Sequence, residues 1–235
     1  MGYEEIYQRS LSDPVGFWRD AARAIDWDVE PTEVLDESKP PFYRWFPDGV
    51  LNTCHNALDR HVAGGRADQT ALVYDSPVTD TIRTYTYREL RDEVAVLAGA
   101  LASLGVAKGD RVIIYMPMIP EAVMAMLACA RLGAIHSVVF GGFAAKELAT
   151  RIDDALPKVI LSASCGIEPG RIVNYKPLLD GAIELATHPP ESTVILQRPQ
   201  AEATMIHGRD LDWSELVADA EAADCVPVAA TDPLY

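Results

Sequence analysis

A chain of 235 residues, 49% hydrophobic and 23% charged, is long enough for one or two domains with a sizeable core. Its 20 Lys+Arg stand against 35 Asp+Glu, a net charge of −15. That balance argues against broad, sequence-independent binding to nucleic acid or to an anionic membrane, both of which need a basic surface. An anionic ligand has to be met by a local cluster of donors.

Cys54, Cys129, Cys165 and Cys225 are 75, 36 and 60 positions apart, without a C-x-x-C pair or a His/Cys cluster. This spacing argues against a zinc site or disulfide scaffold and fits a reducing cytoplasm. The first ten residues carry Glu4, Glu5 and Arg9, unlike a secretory signal. The most apolar stretch, residues 122–143, is broken by Arg131, His136 and three glycines, and reads as a helix–turn–strand unit rather than a membrane span. A soluble, cytoplasmic protein is expected.

In chain order, Tyr3–Leu11 and Pro14–Ile25 read as short helices, with Asp13 as N-cap of the second and Pro14 in its first turn. Residues 30–47 hold four prolines and the aromatics Phe42, Tyr43, Trp45 and Phe46, which predicts an ordered, extended arm packed on something larger. Asn52–Val62 reads as a helix closed by Gly64-Gly65. Thr70–Tyr74 is a strand, and Asp75–Tyr85 a hairpin. Thr86-Tyr87-Arg88-Glu89 is a capping box. Behind it Leu90, Val94, Leu97, Leu101 and Leu104 form one helical face, stopped by Gly105.

Strands follow at Arg111–Met116, Ile135–Phe140, Lys158–Ala163 and Thr193–Gln197. Helices follow at Pro120–Leu132, Ala144–Leu156, Pro177–Thr187 and Leu211–Ala220. Short apolar strands alternating with helices predict an α/β fold, a mainly parallel sheet with helices on both faces.

In such sheets ligands bind at the carboxyl ends of the strands. Two loops there stand out. Phe140-Gly141-Gly142-Phe143 lets the backbone approach a ligand and offers helix N–H groups to an anion; it equally suits a tight turn with both phenylalanines in the core. Cys165-Gly166-Ile167-Glu168-Pro169-Gly170-Arg171 sets an exposed amide beside a guanidinium, a sensible phosphate contact or an ordinary surface turn. Around it, residues 146–176 hold five basic against four acidic residues. His136 reads as a hydrogen-bonded core histidine. Met116, Met118, Met124 and Met126 read as core filling, and residues 201–235 as a solvated acidic face. From these residues alone the reading stops at an α/β domain with a candidate nucleotide or anion site.

The ordered set Tyr85-Thr86-Tyr87-Arg88-Glu89-Leu90, Gly105-Val106-Ala107-Lys108-Gly109-Asp110-Arg111-Val112, Met116-Pro117-Met118-Ile119-Pro120-Glu121-Ala122 and Arg131 through Phe143 resembles the adenylate-forming acyl-CoA synthetases, in their acetyl/propionyl-CoA synthetase branch. Residues 164–171 and 56–62 look closer to propionyl- than to acetyl-CoA synthetases. The resemblance implies an N-terminal extension over 1–65 and a partial AMP-binding domain over 66–235. It implies a ligase that joins a short-chain carboxylate to CoA with ATP and Mg²⁺ through an acyl-adenylate. It further implies that Glu168, Pro169, Gly170 and Arg171 contact the nucleotide end of CoA and that Gly142 lines its approach. Acetate-type relatives carry a second Arg where Glu168 stands. The Thr/Gly phosphate loop and the domain with the adenylation lysine are expected after Tyr235, so a fragment inactive alone is expected, with no catalytic residue and no metal ligand inside it. The partners implied are small molecules, with neither nucleic acid nor membrane, and the fragment is expected to self-associate. The alternatives are an acetyl-CoA synthetase and a non-catalytic coenzyme-binding or interaction domain.

Overall fold

A computed structural model describes residues 2–142 and 144–235. Helices α1 (Tyr3–Ser12) and α2 (Pro14–Ala22) open the chain, and the Asp13 carboxylate caps α2 by accepting from Gly16 N at 2.9 Å. The proline-rich arm is extended, as its composition predicts. Its strands β1 (Leu35–Asp36) and β2 (Arg44–Trp45) pair antiparallel. Trp45 meets Trp18 and Phe46 meets Trp27, with ring centroids 5.9 and 5.6 Å apart, so the arm lies on the α2 region. After β3 (Val50–Leu51) the predicted helix forms over residues 53–66, with two wide turns in it, 55–59 and 62–66. The second runs on through Gly64 and Gly65, and Gly65 breaks it at φ 84°.

Strands β4 (Thr70–Ser76) and β5 (Thr81–Thr86) form the expected hairpin. The capping box is formed: Glu89 N donates to Thr86 Oγ1 at 3.2 Å while Thr86 N donates to Glu89 Oε2 at 2.8 Å. Helix α3 (Tyr87–Ser103) then buries Leu90, Val94, Leu97 and Leu101. Next come β6 (Arg111–Tyr115), α4 (Pro120–Leu132), β7 (Ile135–Val138), α5 (Ala145–Ala155) and β8 (Val159–Ala163). A short hairpin, β9 (Cys165–Glu168) and β10 (Arg171–Asn174), leads into α6 (Tyr175–Leu185). The chain closes through β11 (Ser192–Leu196), β12 (Asp210–Asp212), α7 (Trp213–Ala218) and β13 (Val228–Ala229), the last pairing antiparallel with β3.

The five-stranded sheet has the order β12-β11-β8-β6-β7, parallel throughout. Alternation along β6 sorts its two faces. Val112 and Ile114 enter a core shared with α3, α4 and Trp213, whereas Ile113 and Tyr115 pack with α5 and α6. Covered on both faces, the inner strands β6, β8 and β11 are mostly apolar and read as short hydrophobic runs, whereas the edge strands β7 and β12 carry His136, Ser137, Asp210 and Asp212.

Some expectations need correction. The Ile135–Phe140 strand ends at Val138, and Phe140 is 73% exposed rather than core; Phe143 lies outside the described residues. Met116 and Met124 are buried, but Met118 is 86% exposed. The helix expected over Pro177–Thr187 starts at Tyr175, and Pro177 fits because it sits in the first turn, where no intrahelical partner is lost. The helix expected over Leu211–Ala220 is shorter, because its first residues are drawn into β12.

Exposed Met118, Val138, Phe140 and Ile172 lie at or near the carboxyl ends of the strands and on the β10 hairpin arm, and β7 is an edge strand. Exposed apolar surface beside an open edge favours association. The isolated chain is expected to show a sedimentation coefficient that rises with concentration; a concentration-independent monomer would contradict this.

Candidate functional site

From β6 the chain steps by α4 to β7 on one side, and α5 then carries it back across β6 to β8 on the other. At such a reversal the loops diverge and leave a crevice beyond the carboxyl ends. A cleft of about 290 Å³ is found there, with Met116, Val139, Gly141, Glu168, Tyr175 and Arg198 among its walls. A larger cavity of about 400 Å³ lies between α2, the end of α4 and residues 228–234. Its walls are mostly alanines and aromatics, and its carboxylate, Asp232, is held by Lys108 at 2.9 Å, so it offers nothing to an anion.

Tyr175 organises the crevice floor. Its ring lies against Tyr115, centroids 5.1 Å apart, and burial pushes its phenol up to about 12. Both glycines that face it are required by close approach. A Cβ on Gly141 would stand 2.0 Å from the Tyr175 hydroxyl, and one on Gly166 would stand 2.7 Å from its ring. Gly141 therefore serves packing. Gly142 differs: it has φ 99° and open space where a Cβ would point, as a ligand approach needs. Its backbone also hydrogen-bonds the Tyr115 phenol, opposing the upward push of burial there. Gly141→Ala is expected to destabilise the chain by about 1–3 kcal/mol through overpacking, read as a lower midpoint in urea; an unchanged midpoint would show that Tyr175 moves aside freely.

The expected loop at 165–171 is a hairpin. Glu168 pairs with Arg171 across its mouth, and Pro169-Gly170, with Gly170 at φ 78°, has the signature of a type II turn. Across this turn Arg171 Nε donates to Glu168 Oε2 at 2.7 Å, and the Arg171 side chain is 70% exposed. An exposed pair of this kind contributes only about 0–1 kcal/mol, so an incoming phosphate can displace the carboxylate. Of the five residues singled out in the sequence, Glu168 lines the cleft, Gly142 follows a lining residue, and Arg171 is tied to Glu168. Pro169 and Gly170 form the exposed tip outside the cleft walls.

Arg198 carries no sequence motif, yet its Nη1 donates to Cys165 O at 3.1 Å and its backbone N–H donates to Ser164 Oγ at 2.8 Å. The rule that ligands sit at strand carboxyl ends could have found it, since it lies just past β11. His136 is buried, but its Nδ1 has no hydrogen-bond partner among the described residues, unlike the hydrogen-bonded histidine expected; burial pushes its pKa down. Among the described residues, the one His/Cys/Asp/Glu group with metal-ligand spacing is Cys54, Asp59 and Cys225, away from the cleft walls. Two sulfurs and one carboxylate do not suit Mg²⁺, which takes oxygen ligands.

The acetyl-coenzyme A synthetase N-terminus family matches residues 3–57, and the AMP-binding enzyme family matches residues 58–235. Acyl-CoA synthetase short-chain family member 3 of Rattus norvegicus, a mitochondrial protein, is 52% identical over 99% of this chain and 34% of its own length. The propionate–CoA ligase of Salmonella typhimurium is 50% identical over 97% of this chain and 36% of its own length. In three dimensions, acetoacetyl-CoA synthetase from Streptomyces lividans superposes with a TM-score of 0.88 at 28% identity, covering the whole chain and 35% of that protein. The chain thus spans about a third of the length of the relatives it matches. With one profile covering 58–235 and a collinear fold beneath it, the chain belongs to the AMP-binding enzyme family.

Proposed function

We propose that this chain supplies the N-terminal third of an AMP-forming short-chain acyl-CoA ligase, with propionate as the acid. In that reaction the carboxylate attacks the α-phosphorus of ATP, giving acyl-adenylate and pyrophosphate. The CoA thiol then displaces AMP to give the thioester. The observation that carries the reading is the 50% identity to a propionate–CoA ligase across nearly the whole chain. Residues 1–65 would act as the extension and 66–235 as the start of the adenylate-forming domain. The cytoplasm is the proposed compartment, compatible with four free thiols. No helix among the described residues is long and apolar enough to cross a membrane.

The crevice would take the nucleotide end of CoA, with Gly142 leaving room and Arg171 meeting phosphate. Mg²⁺ is needed to neutralise the phosphates of ATP, and among the described residues the cleft's one carboxylate is Glu168, already held by Arg171.

The purified 235-residue chain is expected to release no pyrophosphate from ATP with propionate. Joined to the C-terminal two-thirds of the Salmonella ligase, it is expected to form propionyl-CoA. Propionate-dependent pyrophosphate release by the chain alone would overturn the partial-enzyme reading. A folded but inert chimera would favour a non-catalytic binding domain.

A further inference from the structure

Cys54 and Asp59, on the same helical segment, meet Cys225 from near the end of the chain. Cys54, Asp59 and Cys225 place their sulfurs and a carboxylate oxygen within 4.8 Å of one another, and both thiols are free. Arg131 fixes the group. Its guanidinium donates to both Asp59 oxygens at 2.8 and 3.0 Å, its Nε donates to Ala223 O at 2.6 Å, and its Nη1 lies 3.6 Å from Cys54 Sγ. Cys225 Sγ lies 3.7 Å from Asp59 Oδ2. Cys54 is fully buried, whereas Cys225 is half-buried. The Cys225 segment is held in register by Ala223 N to Ala95 O at 2.9 Å, Val226 N to Arg131 O at 2.8 Å, and Asn52 Nδ2 to Val226 O at 2.8 Å. None of these residues lines the crevice.

A fixed cation beside one of two adjacent sulfurs favours a thiolate–thiol pair. The hydrogen bond from Cys225 and the charge of Arg131 hold Cys54 below the ordinary thiol range despite burial. Removing the second proton would set another negative charge beside Cys54 and Asp59, so Cys225 is pushed up. A divalent cation is the poorer occupant: Arg131 already holds both carboxylate oxygens and would repel it.

We propose that Cys54 and Cys225 form a reversible disulfide, with a small-molecule disulfide as the oxidant. Cys225, the accessible thiol, passes its proton to the adjacent Cys54 thiolate as it attacks the small disulfide; the small S–S bond breaks, a mixed disulfide forms on Cys225, and one small thiolate leaves, taking a proton from water. Cys54 then gives its proton up to solvent and attacks the Cys225 sulfur, forming the internal bond and releasing the second small thiolate, which is protonated in turn. Two protein thiols thus lose two electrons, which reduce one small disulfide to two thiols. The bond ties the turn at 55–59 to the segment that leads into β13.

Oxidised glutathione added to the reduced native chain, followed by alkylation and peptide mass mapping, tests this. The expected product is a Cys54–Cys225 disulfide, about 2 Da lighter than the dithiol, with Cys129 and Cys165 alkylated only after denaturation. Cys54→Ser is expected to accumulate the glutathione adduct on Cys225, and Cys225→Ser to give neither product, with circular dichroism showing that each is folded. The wild-type result stands without the variants. Recovery of both thiols free from the native chain overturns the proposal, as does a bond to Cys129 or Cys165. So does one zinc ion retained through dialysis and protecting both cysteines from oxidation.

Discussion

Replacing Asp210 by Ala is expected to destabilise the fold by about 3–5 kcal/mol, the cost of breaking a buried ion-pair network by removing one member. Lys176, 3% exposed on α6, reaches Asp210 Oδ2 at 2.8 Å and Asp180 at 2.7 Å. Arg209 Nε bonds Asp210 Oδ1 at 2.6 Å, and Arg209 also pairs with Asp180. Thr193 Oγ1 and Ile206 N each donate to Asp210 at 2.7 Å, so this one carboxylate joins β11, β12, α6 and the loop before β12. At about 2–4 °C per kcal/mol for a domain of this size, the melting midpoint should fall by about 6–20 °C. Asp210→Asn keeps the shape but loses the charge, and should cost about 1.5–3 kcal/mol. A midpoint unmoved in both variants would contradict the network's role.

The same residue sets an acid dependence. Burial opposes the Asp210 charge, but hydrogen bonds from Arg209 and Lys176 outweigh it and hold the carboxyl well below the usual carboxylate range. The folded state therefore binds this proton more weakly than the unfolded chain. The stability it contributes is full above the unfolded value of about 4 and drains as pH falls below it. The stability gap between wild type and Asp210→Asn should narrow with falling pH in that window.

Asp210 also shows where the sequence falls short. Within an acidic run it reads as solvated, because nothing local signals that Lys176 will arrive from 34 positions upstream. The same holds for Cys54 and Cys225, whose spacing carries no motif, and for β9, β10 and β12, too short to alternate visibly. What local chemistry governs was legible: the capping box at Thr86 and Glu89, the leucine face of α3, the Asp13 cap, and apolar strands in a two-sided sheet. The glycines at 141 and 142 drew attention together, yet the reasons differ. Gly141 answers to Tyr175, which sits 34 residues later, and only Gly142 keeps the open space.

Replacing Arg171 by Ala in the joined ligase is expected to raise the KM for CoA about tenfold. A charge-assisted contact to phosphate is worth about 1.5–3 kcal/mol. The lower end applies because Arg171 must first release Glu168, a pair worth about 0–1 kcal/mol. Glu168→Gln frees the guanidinium and should lower the same KM about two- to fivefold, the opposite direction from a residue whose loss merely loosens the hairpin. Neither change touches ATP or propionate in this reading, so the first half-reaction should be spared.

The most direct measurement pairs steady-state titration of CoA with propionate-dependent ATP–pyrophosphate exchange on the joined enzyme and these two variants. The account predicts a higher KM for CoA in Arg171→Ala, a lower one in Glu168→Gln, and exchange unchanged in both. An unchanged KM in Arg171→Ala, or equal losses in both assays, would contradict it.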